Sequence, residues 1–129
     1  MRDQVVQDRT RLQERYLQDD LPTRLGGLAA NLARIQSFSH HVGNQAVVER
    51  LIEESKLFVE WTASEIDIDS AAELVAMQIQ LARWQRNWRS LWADPAQRVK
   101  MADQAKVWSE RVLGLSGILS GGSASPEAS

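Results

Sequence analysis

Between Arg83 and Arg89 the chain interleaves rings and cations: Arg83, Trp84, Gln85, Arg86, Asn87, Trp88, Arg89. Indole faces stack on bases and guanidiniums hold phosphates, so such a run raises a nucleic-acid or membrane surface. Helical periodicity separates the two chemistries. At about 100° per residue Trp84 and Trp88 share one stripe while Arg83, Arg86 and Arg89 point away from it. A single-strand platform needs rings and cations on one face. The rings are therefore assigned to a core, where large aromatics tend to be buried, and the arginines to a solvated side. Neither a nucleic acid nor a membrane is expected as partner. Trp92 falls beside the stripe and is expected at a rim or in an interface.

Metal and acid–base chemistry find little here. A di-iron bundle needs Glu three residues before His on facing helices, and neither His40 nor His41 has one. Adjacent helical histidines diverge by about 100° and chelate one ion badly. Asp67-Ile68-Asp69 opens like a calcium loop but lacks its glycine and distal glutamate. Glu49 and Glu53 form a carboxylate pair on an exposed polar face, not in the buried cleft that acid–base chemistry favours. There is no nucleophile elbow and no phosphate-cradling glycine loop. No cofactor, no metal and no enzyme are expected.

The remaining chemical candidate is His40-His41-Val42-Gly43-Asn44-Gln45. It resembles the His-x-Val-x-Asn stretch around the phosphorylated histidine of one group of two-component sensor kinases. The resemblance covers six residues. It implies His40 as phospho-acceptor on an exposed helical face, with Asn44 beside it. The stretch lacks an acid before His40 and a base at Gly43, and no glycine-rich ATP segment follows. Gly43 also suits a helix stop, where histidines would face terminal carbonyls.

Charge is unevenly distributed. Residues 44–69 carry seven acids against two bases, and residues 74–112 carry seven bases against three acids. Ion pairs flanking neighbouring helices account for this at little energy each. A dipolar surface that steers a protein partner or a second copy accounts for it too. On that reading Glu49, Glu53, Glu60, Arg83, Arg86, Arg89 and Trp92 are the partner-binding candidates.

The elements that would position these residues are all helices. Leu74, Met77, Leu81, Trp84, Trp88 and Leu91 step by 3, 4, 3, 4 and 3, a heptad seam within a predicted helix over 70–92. Asp69 or Ser70 is placed to cap it, with Glu73 closing a capping box on Ser70. A charged helix over 2–20 has only Val5, Leu12 and Tyr16 to pack and is expected to be loosely anchored. Asp19-Asp20-Leu21-Pro22 ends it. The next helix, 22–41, carries Leu21, Leu25, Leu28, Leu32, Ile35 and Phe38. Its Gly26-Gly27 pair, with Ala29, Ala30 and Ala33, suits close helix approach, a hinge being the alternative. Asn44 is expected to cap a helix over 45–63. Asp94-Pro95 opens the last helix, 95–119, with Met101, Ala105, Trp108, Val112, Leu115 and Leu119 on its seam.

Short connections make sequential helices antiparallel neighbours. The expected fold is all-α, an up-and-down antiparallel four-helix bundle with an additional N-terminal helix, spanning 1–119 as one domain. Residues 120–129 (SGGSASPEAS) are expected to be a disordered tail. The chain has 129 residues, a formal net charge of −2 and no cysteine, which removes disulfide and thiolate chemistry. No segment has signal-peptide or membrane-span character, so a cytoplasmic protein is expected. The expected function is non-enzymatic protein–protein contact, adaptor-like or self-assembling, as a homodimer. Histidine phosphotransfer at His40 is the rival, and a small apolar ligand among Trp84, Trp88 and Trp108 is a further alternative.

Overall fold

The computed structural model describes residues 2–121. Among them the chain forms six α-helices, two single 3-10 turns and no strand: α1 (Arg2–Gln18), α2 (Leu21–Phe38), α3 (Gln45–Thr62), α4 (Ile68–Arg86), α5 (Trp88–Ala93) and α6 (Pro95–Gly121). The 3-10 turns, Val42–Asn44 and Ala63–Glu65, flank α3. No described helix is long and apolar enough to cross a membrane.

Local chemistry sets most helix ends. Asp20 accepts the Thr23 N–H at 2.9 Å, with Pro22 in the first turn of α2. Such a cap satisfies a backbone donor that the helix itself cannot. Asp94 does the same for α6 through the Ala96 N–H at 3.0 Å, just before Pro95. Helix α4 starts two residues earlier than the sequence suggests. Asp67 is its cap, accepting the Ser70 N–H, which leaves Glu73 free of any capping box and bonded instead to Arg111. Asn44 makes no capping bond; its amide reaches back to the Phe38 carbonyl and ties the connection down. Helix α6 continues through Ser120 and Gly121, into the expected tail, and 122–129 lie outside the described residues.

The predicted helix over 70–92 is broken at Asn87. There the backbone leaves helical geometry (φ −106°, ψ 24°), while its N–H and side-chain amide both bond the Arg83 carbonyl. Asparagine side chains compete for backbone groups in this way, which is why they favour helix ends. The short α5 follows at once, with Trp88, Leu91 and Trp92 all buried.

Helix α2 lies at the centre, packed mainly on α6 and α3. Its Leu25, Leu28, Leu32 and Ile35 are wholly buried, joined by Val48 and Ile52 of α3, Leu74 and Leu81 of α4, and Ala105 and Val112 of α6. Each buried leucine, isoleucine or valine contributes roughly 1.5–3 kcal/mol. These residues belong to one contiguous core cluster that also takes Trp84, Trp88, Leu91 and Trp92. Helix α2 runs unbroken through Gly26 and Gly27. A methyl group there would meet Ser116 Oγ or Tyr16 Cε1 at 3.9 Å, so neither glycine is needed for close approach and neither bends the helix.

Cross-helix bonds show how the elements run. Ser116 and Ser109 of α6 donate to the carbonyls of Pro22 and Ala29, so α6 runs opposite to α2. Gln78 donates to the Lys56 carbonyl and Gln85 to Glu53, so α4 runs opposite to α3. Helix α1 is anchored at its C-terminal end, where Tyr16 stacks on Phe58 (centroids 3.9 Å apart, planes 9°) and bonds the Arg24 carbonyl at 2.9 Å. Beside it the buried Arg24 guanidinium holds Glu65 through two bonds of 2.9 and 2.7 Å and the Asp19 carbonyl through a third. That pairing holds the Glu65 carboxyl below its usual pKa. The N-terminal half of α1 leaves Val5 and Val6 exposed, so of the expected apolar line only Leu12 and Tyr16 pack on the core.

Candidate functional site

Helix α4 has two apolar faces. The inner one, Leu74, Met77, Leu81 and Trp84, is buried in the core. The outer one consists of Ile68, Ala72, Val75, Ile79 and Ala82, ending at Arg86. These residues step by 4, 3, 4, 3 and 4, so they lie in one row along the helix. Every one of them is exposed, Ile68 by 85%, Val75 by 41% and Ile79 by 51%. An ordinary surface helix carries charge opposite its core face. Here nearly four turns of that position carry none. Its two ends do differ in charge: Asp67 and Asp69 stand at the N-terminus, Arg83 and Arg86 at the C-terminus.

A second feature opens beside it. Helices α4 and α6 line a groove of about 860 Å³. Its floor is the stacked pair Trp84–Trp108 (centroids 5.1 Å apart), with Met77, Met101 and Leu91. Its rim carries Gln80, Arg83, Asn87 and Lys100, and the Glu73–Arg111 ion pair (2.6 Å) bridges it at one end. The Arg111 guanidinium holds the Glu73 carboxyl below its usual pKa. The groove is apolar below and polar above, the general form of a site for an amphiphilic molecule.

The expected site residues are scattered over this frame. Helix α2 ends at Phe38, so His40 lies in the following turn and not on a helical face; it is exposed, with the Gln36 amide 3.1 Å from its Nε2. Asn44, its expected companion, is turned to the Phe38 carbonyl. Glu49 and Glu60 are exposed on α3. Glu53 instead joins a polar cluster with Arg9, Lys56 and the Gln85 amide. The acidic and basic blocks thus meet at α3 and α4 through an amide that bridges Glu53 and Lys56, rather than through direct ion pairs. Arg83, Arg86 and Arg89 are exposed, as expected of a solvated side, and Arg83 borders the groove.

Trp92 is the correction. It was expected at a rim or interface, and it is only 3% exposed. The Trp92 ring lies beside Trp88 and under the Arg98 guanidinium, 5.4 Å from the ring centre. Its Nε1–H donates to the Val42 carbonyl at 2.9 Å, fastening the 39–44 connection to α5. Trp92 is therefore a structural clasp and is removed from the contact candidates. The outer row of α4, by contrast, was missed. Its spacing was legible, but two of its residues are alanines and the heavier Leu/Trp seam on the same helix obscured it.

Among the described residues no three His, Asp or Glu side chains come together as a metal would require. Comparison of the chain with family models, curated proteins and solved structures gave no match.

Proposed function

We propose that this chain is a non-enzymatic, cytoplasmic helical protein that acts through protein–protein contact, adaptor-like or self-assembling, and does so as a homodimer. In this reading α2, α3, α4 and α6 make an up-and-down antiparallel four-helix bundle, with α1 laid beside α3. The opposed stepping of the cross-helix bonds supports that topology. The observation that carries the function is the outer face of α4, an uncharged row of exposed aliphatic residues several turns long. Contiguous apolar surface of this kind marks contact sites. Sedimentation equilibrium at micromolar concentration is expected to show twice the 14.5 kDa chain mass. A clean monomer would overturn the homodimer.

The Trp-floored groove favours a second reading, a small apolar ligand held between α4 and α6. Titration with a long-chain fatty acid is then expected to shift or quench tryptophan emission, and an unchanged spectrum counts against it. Phosphotransfer at His40 draws on exposure alone, since the helix that should present the ring has ended. It predicts an acid-labile phosphate after incubation with a response regulator or kinase, lost in His40→Gln.

A further inference from the structure

The outer row of α4 reads the same in both directions when two copies are laid against each other head to tail. About a two-fold axis near Met77, Val75 of one copy meets Ile79 of the other, Ala72 meets Ala82, and Ile68 meets Arg86. All three layers arise together from a single register. The two alanine layers, one on each side of the centre, let the helices approach closely, and the Val–Ile layers between them fill the seam.

Charge chooses the same arrangement. Asp69, Ala76 and Arg83 form the row flanking the apolar stripe on its groove side, and all three are exposed. In the antiparallel pair Asp69 lies beside the second copy's Arg83, twice by symmetry, while Ala76 lies beside Ala76. On the other flank Ala71, Gln78 and Gln85 add no charge. Flanking charges of opposite sign set helix orientation in such seams. A parallel pair would lose both ion pairs. It would also set Arg86 against Arg86 inside the seam, a like-charge contact. A two-fold interface must be self-complementary, and this one is, in shape and in sign.

We infer that the occupant of this face is a second copy of the chain, docked through an antiparallel α4–α4 pair centred near Met77. This rests on the homodimer reading above and specifies its surface, direction and register. The aliphatic stem of Arg86 covers Ile68 at each end of the seam while its guanidinium reaches solvent beside Asp67 and Asp69.

The test uses the full chain, whose lack of cysteine makes single-cysteine variants clean reporters. Ile79→Glu sets a carboxylate into both symmetric copies of the central layer and is expected to weaken association at least on the order of a hundredfold, with helix content retained by circular dichroism. Val99→Glu, at an exposed aliphatic on α6, is expected to leave the dimer intact. Differently tagged Val75→Cys and Ile79→Cys chains, mixed and mildly oxidised, are expected to join as a mixed disulfide. Ile68→Cys alone is expected not to, because its two copies lie about 27 Å apart along the seam. A monomeric parent protein would overturn both this inference and the homodimer on which it rests. A dimer that survives Ile79→Glu would leave the homodimer standing and overturn the α4 face. Efficient Ile68–Ile68 cross-linking would overturn the antiparallel direction. Should Ile79→Glu fail to fold, the cysteine pairings decide alone.

Discussion

The Tyr16 hydroxyl holds α1 to the rest of the molecule, and its removal gives a measurable account of that attachment. The hydroxyl has one proton, which it donates to the Arg24 carbonyl at 2.9 Å. It follows that the Thr62 hydroxyl, 3.2 Å away, is the donor in the second bond. Tyr16→Phe keeps the ring stacked on Phe58 but deletes both bonds. Losing a net hydrogen bond to the carbonyl costs about 1 kcal/mol, and stranding the wholly buried Thr62 donor adds about 1 more. The total, about 2 kcal/mol, corresponds to a fall of about 7 °C in Tm for a chain of this length. Thr62→Val removes the stranded donor. The double variant is therefore expected to cost less than the sum of the two single ones, by about 1 kcal/mol of coupling. Guanidinium unfolding followed by circular dichroism, at one fixed protein concentration, measures all four corners of the cycle. A cost below about 0.5 kcal/mol for Tyr16→Phe, with strict additivity, would refute the reasoning.

The same residue makes a pH prediction. Burial pushes the Tyr16 hydroxyl up to about 12 from an ordinary 10, so the folded state keeps a proton that the unfolded chain has lost. Its contribution is complete below pH 10 and drains away as pH rises toward 12. As the chain has one tyrosine, phenolate absorbance at 295 nm follows it directly, and Tyr16→Phe should flatten the alkaline loss. Gly26→Ala and Gly27→Ala are each expected to stabilise α2, by up to about 1 kcal/mol, because the added methyl has ordinary van der Waals room. A loss of stability in thermal melts would contradict this. Trp92→Phe should cost about 1 kcal/mol more than Trp88→Phe. The Trp92 N–H is bonded to the Val42 carbonyl, whereas Trp88 Nε1 is buried without a partner among the described residues. Denaturant midpoints of the two variants in the reverse order would overturn it.

Much of this architecture follows from the order of residues alone. Apolar side chains at spacings of three and four along Leu25 to Ile35, and along Leu74 to Trp84, admit only helices, and those are the residues found wholly or nearly buried. Asp94 before Pro95 announces a helix start, because capping and proline placement depend on neighbours only; the break at Asp19–Pro22 is legible too, and there Asp20 also caps α2. The solvated setting of Arg83, Arg86 and Arg89 opposite Trp84 and Trp88 follows from the same periodicity.

Other features depend on groups distant in the chain. Ser70 and Glu73 look like a capping box, yet Glu73 is claimed by Arg111, whose guanidinium offers two strong bonds where the helix N-terminus offers one. Spacing along one continuous helix sets Trp92 beside the buried stripe, at a rim. Its burial comes from packing against the Val42 carbonyl and the Arg98 guanidinium, and helical spacing reveals neither contact. The pairing of Arg24 with Glu65, the bridge of Gln85 to Glu53 and Lys56, and the groove over Trp84 and Trp108 likewise exist only once helices are side by side. Periodicity tells which faces of a helix are apolar; it does not tell which of two apolar faces the rest of the chain will cover. In α4 tertiary packing takes the face with leucine and tryptophan, where more area is buried, and leaves the valine–isoleucine–alanine face to solvent.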